Sequence, residues 1–206
     1  VSRFGNFDPF DSAIASAQRL LPSGEVDAAW LESWRKEPEL DKRGEFVRFV
    51  WENSPRLLFG ASDLIRVADR VARPKEIEVY SNRGLSGIDG TVSTAIGIAQ
   101  ERQDVTALIG DLTLLHDANG LNRSDLREMN VRLVVGNDNG GHIFSRLEVN
   151  ELLPKESFER LFATPQVVDL RSLAAAYGWK YFRCESMKEL EAAWGETGFV
   201  LIDYGL

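Results

Sequence analysis

The sequence predicts an α/β fold in three layers, with a mostly parallel sheet of about six strands between helices on both faces. From Arg56 onward, short apolar runs alternate with amphipathic segments, which is typical of parallel βαβ construction. The apolar runs are continuous, as expected for strands buried on both faces. Ser186 and Glu189 have the spacing of a capping box, and Asp169 precedes another amphipathic segment, so both positions indicate helix starts.

These runs place the elements along the chain. Strands are predicted at residues 57–60, 76–81, 105–110, 131–136, 181–184 and 199–203. Helices are predicted at residues 63–72, 91–102, 114–129, 170–178 and 187–194. Residues 56–206 are therefore expected to form one domain. Residues 1–55, with helical apolar spacing interrupted by prolines, are expected to be a helical connecting segment or the end of a middle domain.

The composition excludes several classes of function. The chain has 206 residues and a formal net charge of -8 without a basic run, so it is not expected to bind nucleic acid or an anionic membrane. No apolar stretch reaches roughly 18 residues, the length needed to span a bilayer. Cys184 is the only cysteine, which predicts a buried thiol in a reducing, cytoplasmic environment. Because the chain lacks a starting Met and ends after an apolar run, we expect it to be part of a longer protein.

Two apolar runs deliver acidic residues to what should be the same edge of the sheet. The run 105–109 leads into Gly110 and Asp111, and the run 131–135 leads into Asp138 within an Asn- and Gly-rich turn. Ligands of parallel sheets bind outside the carboxyl ends of the strands. If the two strands are neighbours, the carboxylates converge and could hold Mg²⁺ with a carbonyl of the turn. The alternative is structural: Asp111 caps a helix and residues 137–141 are only a turn.

A glycine-rich loop at residues 84–90 precedes the predicted helix that starts at Thr91. Glycines permit positive φ and close backbone approach, so free N–H groups at this helix start could face a phosphate. A tight connection between strand and helix, without a ligand, is the alternative reading.

Together these motifs resemble those of a known enzyme family. Gly110-Asp111-Leu112, followed by Asn137-Asp138-Asn139, resembles the metal and diphosphate fingerprint of thiamine-diphosphate enzymes. The resemblance implies Mg²⁺ or Mn²⁺ bound by Asp111, Asp138 and the carbonyl of Gly140, which makes residues 56–206 a diphosphate- and metal-binding domain. The chain departs from the commoner pattern at Leu112, where Gly is usual, and at Asp138, where Asn is usual. A second carboxylate should tighten Mg²⁺ binding but repel the diphosphate.

Longer stretches are similar to one branch of that family, the menaquinone-pathway synthases that make 2-succinyl-5-enolpyruvyl-6-hydroxy-3-cyclohexene-1-carboxylate. The similar stretches are residues 81–91, 110–113, 139–145 and 158–165. The resemblance implies an enzyme that decarboxylates 2-oxoglutarate and adds the resulting succinyl-semialdehyde carbanion to isochorismate.

The resemblance also assigns residue roles. Ile88 is expected to support the bent cofactor, and residues 155–162 to form a lid. Ser62, Arg66 and Arg83 are expected to bind the dicarboxylate substrates, with Phe144 beside them, although surface pairing of the arginines and core roles for Ile143 and Phe144 are alternatives. Cofactor contacts are implied for Ile88, Gly110, Asp111, Leu112, Thr113, Asn139, Gly140, Gly141 and Ile143.

The resemblance implies that the activating Glu lies on the N-terminal, pyrimidine-binding domain of a partner subunit in a homodimer or homotetramer. No catalytic residue is therefore expected within this chain, and the chain alone should be inactive. Three other readings stay open: another thiamine-diphosphate 2-oxoacid decarboxylase or carboligase, a non-catalytic domain that lost the cofactor, and a nucleotide-binding Rossmann domain. The last ranks lowest because the loop lacks Gly-x-Gly-x-x-Gly spacing.

Overall fold

The computed structural model describes residues 39–82, 84–122, 128–146 and 148–206. In these ranges the chain forms a six-stranded parallel sheet covered by helices, which confirms the predicted α/β fold. The strands are β1 (Arg56–Phe59), β2 (Glu78–Ser81), β3 (Asp104–Gly110), β4 (Asn130–Asn137), β5 (Lys180–Cys184) and β6 (Phe199–Gly205). Their order across the sheet is β2-β1-β3-β4-β6-β5.

The helices of the described ranges connect these strands. They are α1 (Lys42–Asn53), α2 (Asp63–Val71), α3 (Thr91–Arg102), α4 (Asp111–His116), α5 (Glu148–Leu152), α6 (Lys155–Phe158), α7 (Leu170–Ala176) and α8 (Met187–Trp194). The capping box predicted at Ser186 and Glu189 is present at the start of α8, and Asp169 caps α7, so both predicted helix starts are confirmed. No helix in the described ranges is both long and apolar enough to cross a membrane.

Two apolar clusters, one on each face of the sheet, hold the three layers together. One cluster joins the sheet to α1, α2 and α8, and the other joins it to α3, α4 and α7. Successive residues of a strand enter opposite clusters, as Leu108 and Ile109 of β3 do, and both side chains are completely buried. Burying one such side chain contributes roughly 1.5–3 kcal/mol, which explains why the strands carry continuous apolar runs.

The helix predicted at residues 114–129 differs most from the structure. Helix α4 begins directly after β3 at Asp111 and ends at His116, and a short 3-10 helix (Ala118–Leu121) follows. Asp117 accepts hydrogen bonds from the backbone N–H and hydroxyl of Ser93 at 2.7 and 3.1 Å, which draws this stretch against the start of α3. A Cβ on Gly120 would lie 2.7 Å from the Ser93 hydroxyl and 2.9 Å from the Ser93 backbone nitrogen, so this close approach to α3 requires glycine. Residues 123–127 lie outside the described ranges.

Helix α1, which falls in the segment predicted to be connecting, packs against the sheet. Phe46 stacks on Tyr204 of β6 with ring centroids 4.5 Å apart, and Val47 and Val50 are completely buried. Lys75 donates to the carbonyls of residues 51, 52 and 54 at 3.0 Å each, which fixes the end of the helix. The division of the chain at residue 55 stays a prediction, since residues 1–38 lie outside the described ranges.

Candidate functional site

The carboxyl ends of β3 and β4 lie side by side and form the centre of the site. The strands pair in parallel register through Gly110 and Gly136, so Asp111 and the turn that follows β4 share one edge of the sheet. We call residues 137–140 the acidic turn, after Asp138. The charge of Asp138 contributes to the raised pKa of Asp111, which means that the two carboxylates interact. The structure therefore brings together the two aspartates that sequence spacing placed at one edge.

Asp111 is a buried carboxylate, only 4% exposed, at the start of α4. Burial, with a smaller contribution from the charge of Asp138, raises the pKa of Asp111 to about 6. Hydrogen bonds from the backbone N–H groups of Leu112 and Gly140 oppose this shift but do not cancel it. A buried carboxylate with a raised pKa is one whose charged form would gain strongly from a cation.

Hydrogen bonds and backbone conformation shape the acidic turn. Asn137 accepts from the N–H of Asn139 at 3.0 Å in an Asx turn. Asn139 then takes a φ of +60° and Gly140 a φ of +134°. This conformation points the Gly140 N–H at Asp111.

Residues 155–166, which we call the covering segment, pack on the acidic turn and on the adjoining Gly141 through backbone groups of the segment. The N–H of Gly141 donates to the carbonyl of Ala163 at 2.6 Å, and the N–H of Gln166 donates to the Asn139 side chain at 3.2 Å. The segment contains α6 and a π-helical turn (Glu159–Ala163). Of the lid predicted at residues 155–162, its last residue, Phe162, lies against Gly141, and the motion of the lid stays a prediction.

We predict that Gly140→Ala will destabilise the protein by about 3 kcal/mol or more. A Cβ at Gly140 would lie 2.1 Å from the Ala163 carbonyl oxygen, at a φ of +134° that disfavours alanine. Urea unfolding would measure the effect. Gly97→Ala is the matched control, because a Cβ at that helical position meets open space and should stabilise α3 by about 0.5–1 kcal/mol. Equal unfolding midpoints for the two variants would contradict the prediction.

Asp203 of β6 holds the acidic turn in place through a hydrogen bond from Asn137. The sequence did not indicate this role. The Asp203 carboxylate is buried and accepts hydrogen bonds from Asn137 at 2.9 Å, Tyr181 at 2.7 Å and Arg183 at 2.8 Å. Burial and the bond to Asp203 raise the pKa of Tyr181 well above its usual range, so the phenol stays a donor. An acidic residue near the end of a predicted strand was the only available signal.

We predict that Asp203→Ala will destabilise the protein by about 3 kcal/mol, because three donors lose their shared acceptor. Tyr181→Phe removes only one of the three hydrogen bonds and should change stability by about 1 kcal/mol. Urea unfolding of both variants measures the difference. Equal losses would mean that Asp203 does not act as the common acceptor.

The glycine loop opens onto the same edge of the sheet. Gly90 precedes α3 with a φ of +67°, and a Cβ there, or at Gly84, would meet nothing within 4 Å. Ile88 is half-buried between these glycines. One helix-start donor is already used, because the N–H of Ser93 donates to Asp117 at 2.7 Å. A phosphate could therefore meet fewer free N–H groups than the loop sequence suggested.

The residues predicted to bind substrate lie partly within the described ranges. Ser62 caps α2 by accepting from the N–H of Leu64 at 3.1 Å. The exposed side chain of Arg66 donates to the Ser62 carbonyl at 2.9 Å. Both therefore make local contacts at the helix that follows β1. Arg83 lies outside the described residues.

The remaining predicted residues surround the two aspartates. Gly110 is the residue that precedes α4, Leu112 is half-buried, and Thr113 is only 2% exposed. Ile143 is half-buried beyond the acidic turn, and Phe144 is 38% exposed, with its ring 5.7 Å from that of Phe162 in the covering segment.

Comparison with known proteins identifies the family. The family described as "Thiamine pyrophosphate enzyme, C-terminal TPP binding domain" matches residues 64–204. The chain belongs to this family. The predicted cofactor, thiamine diphosphate, agrees with the domain of the thiamine pyrophosphate enzyme family that matches.

Similar proteins within the thiamine pyrophosphate enzyme family carry one recurrent name, 2-succinyl-5-enolpyruvyl-6-hydroxy-3-cyclohexene-1-carboxylate synthase. The one from Clavibacter michiganensis is 42% identical over 200 residues, which cover 89% of this chain and 34% of the relative. The one from Nocardia farcinica is 51% identical over 194 residues, covering 82% and 35%. The chain thus spans about a third of the length of these relatives, and the predicted resemblance to this synthase is confirmed.

A solved structure supports the fold of the thiamine pyrophosphate enzyme family. Benzoylformate decarboxylase from Polynucleobacter necessarius superposes with a TM-score of 0.63 at 19% identity, over 82% of this chain and 35% of that one. At this identity the likeness concerns the fold alone.

The donor set of the site suits a hard cation that also binds a diphosphate. In the described ranges no group of three His, Cys, Asp or Glu side chains is placed to hold a metal. Two aspartates are present, so the other ligands would have to be oxygens of the backbone, of water or of a diphosphate. This is the coordination that Mg²⁺ favours, since it keeps few protein ligands. The residues present therefore fit a hard cation bound together with a diphosphate.

Proposed function

We propose that this chain is the C-terminal, cofactor-binding domain of a thiamine-diphosphate-dependent synthase of menaquinone biosynthesis. The enzyme would decarboxylate 2-oxoglutarate and transfer the succinyl-semialdehyde unit to isochorismate. The observation that carries the proposal is the meeting of Asp111 with the acidic turn at the ends of adjacent strands β3 and β4. The relatives named for this synthase support the choice of reaction.

The residues of the chain would hold and orient the cofactor. We propose that Asp111, Asp138 and the carbonyl of Gly140 bind Mg²⁺ or Mn²⁺, which neutralises the diphosphate. When bound, thiamine diphosphate supplies the nucleophilic carbon and accepts the electrons released by decarboxylation. Ile88, half-buried in the glycine loop, would support the bent cofactor.

Substrate binding is proposed at the rim around the cofactor. Arg66 and Arg83 would bind carboxylates with planar pairs of N–H donors, and Ser62 would add a hydroxyl. The exposed ring of Phe144 would form an apolar wall together with Ile143. The covering segment, which contacts Asn139 of the acidic turn through Gln166 and the adjoining Gly141 through Ala163, would exclude water when it closes.

The proposed site is completed by a second subunit. The activating Glu would come from the N-terminal, pyrimidine-binding domain of that subunit in a cytoplasmic homodimer or homotetramer. We therefore predict that the isolated chain forms no product from 2-oxoglutarate and isochorismate with thiamine diphosphate and Mg²⁺, while the complete enzyme does so under identical conditions. A chromatographic assay for the coupled product measures this. Turnover by the isolated chain would contradict the prediction.

Substrate comparison tests the proposed reaction in the complete enzyme. We expect CO₂ release from 2-oxoglutarate, with pyruvate and benzoylformate turned over far more slowly, and a coupled product only with isochorismate. Preference for pyruvate would instead indicate another 2-oxoacid decarboxylase or carboligase. Calorimetry without any heat from thiamine diphosphate and Mg²⁺ would indicate a domain that lost its cofactor.

A further inference from the structure

Arg43 joins helix α1 to the acidic turn. Its guanidinium donates to Asp138 at 2.7 Å and to Asp63 at 3.3 Å. The contact is mostly shielded from water, since the side chains of Arg43, Asp138 and Asp63 are only 20%, 16% and 14% exposed. The chain thus places a fixed positive charge directly beside a carboxylate proposed to bind the metal.

This charge matters because three aspartates lie at the same edge of the sheet. Two further cations line the cleft beside the acidic turn, but Arg183 is paired with Asp203 and Glu185, and Lys42 lies over the ring of Tyr204. Asp63, Asp111 and Asp138 lie at the carboxyl ends of β1, β3 and β4, and each would repel a diphosphate. A neutral side chain at position 138 would bind the metal without this repulsion. Asp138 therefore needs a compensating cation that an Asn would not need.

We propose that Arg43 is a positioning residue that offsets the charge of Asp138. Together the two side chains carry no net charge, so the diphosphate meets the same charge as it would beside a neutral side chain. The proposal rests on the proposed cofactor site. It adds that α1, outside the matched residues 64–204, contributes to cofactor affinity through Asp138 without touching the cofactor. The bond also holds one oxygen of Asp138, which leaves the other free for a metal ion.

Charge compensation predicts effects of opposite sign for a bare cation and for a diphosphate. In Arg43→Gln, Mn²⁺ alone should bind about tenfold more tightly, because a competing positive charge is gone. Thiamine diphosphate at saturating Mg²⁺ should bind about tenfold more weakly, because the charge of Asp138 is no longer offset. A purely structural role of Arg43 would weaken both.

A double-mutant cycle in the complete enzyme tests the coupling. Mn²⁺ binding is followed by the paramagnetic resonance of the free ion, and thiamine diphosphate binding by calorimetry. The variants are Arg43→Gln, Asp138→Asn and their combination, with Arg43→Lys as the variant that keeps the charge. Arg70→Gln is the matched control, because Arg70 is exposed at the opposite end of α2 from Asp63. Thermal unfolding of each variant checks that it is folded.

The proposal predicts that Asp138→Asn restores thiamine diphosphate affinity to the Arg43→Gln protein, and that Arg43→Lys retains most of it. Equal weakening by Arg43→Gln in proteins with and without the Asp138→Asn substitution would overturn the proposal, as would weaker Mn²⁺ binding in Arg43→Gln. If Arg43→Gln does not fold, Arg43→Lys decides the question. A thiamine diphosphate affinity in Arg43→Lys comparable with that of the Arg70→Gln control would support the proposal. A tenfold loss of that affinity in Arg43→Lys would overturn it. Failure of the wild-type enzyme to bind either probe would instead overturn the proposed function.

Discussion

Asp111→Asn is expected to weaken the binding of thiamine diphosphate with Mg²⁺ by about a hundredfold or more. Asp111 is the deeper of the two aspartates, only 4% exposed, and its carboxylate is fixed by N–H donors from Leu112 and Gly140. An amide keeps the size of the side chain but removes the negative charge that a hard cation needs. Calorimetry on the complete enzyme would measure the loss.

The control for this variant is Asp69→Asn, which also removes one carboxylate but at an exposed position of α2. That change should leave cofactor affinity within about twofold, since exposed charges are screened by salt. The unfolding midpoint of Asp111→Asn should not fall, so lost binding cannot come from lost structure. Near-normal affinity in Asp111→Asn would remove Asp111 from the proposed metal site.

The same substitution is expected to stabilise the metal-free protein at pH 7 by about 3 kcal/mol. Burial raises the pKa of Asp111 from 3.8 to about 6, so the folded protein binds a proton more tightly than the unfolded chain. The contribution of Asp111 is most favourable below pH 4. It is lost as the pH rises from about 4 to 6, because the folded protein must then bury a charge. The amide introduced by Asp111→Asn carries no charge and should avoid that loss.

Urea unfolding at a series of pH values, in a chelator, would test this expectation. The difference in unfolding free energy between wild type and Asp111→Asn should grow between about pH 4 and pH 6 and then level off. Taking the difference removes the contributions of the other carboxylates, which both proteins share. Excess Mg²⁺ should stabilise the wild type alone. A constant difference across the pH range would mean that Asp111 ionises normally.

This pair of expectations has a common physical basis. Burying the charge of Asp111 costs free energy in the metal-free protein. A bound metal ion can offset that cost, because its positive charge stabilises the buried carboxylate. Metal affinity should consequently fall below about pH 6, where protons compete with the cation for Asp111. The site would thus exchange some stability of the metal-free fold for affinity.

Much of the fold was predictable because local patterns determine it. Continuous apolar runs predicted every strand of the described sheet to within about two residues, and the periods of helices and strands differ enough to separate them. Helix starts at Asp169 and Ser186 were predictable from capping chemistry, which involves only neighbouring residues. The end of α4 was not, because it depends on the contact of Asp117 with the remote Ser93.

The sequence by itself determined that Asp111 and Asp138 lie at one edge of a parallel sheet, because strands that alternate with helices all end on the same side. Only the tertiary structure decided which groups surround them. Arg43 reaches Asp138 from a helix 95 positions away in the chain, and Asp203 supports Asn137 from another strand. Such contacts depend on how helices and strands pack, and no local pattern of apolar and polar residues specifies which remote side chains will meet.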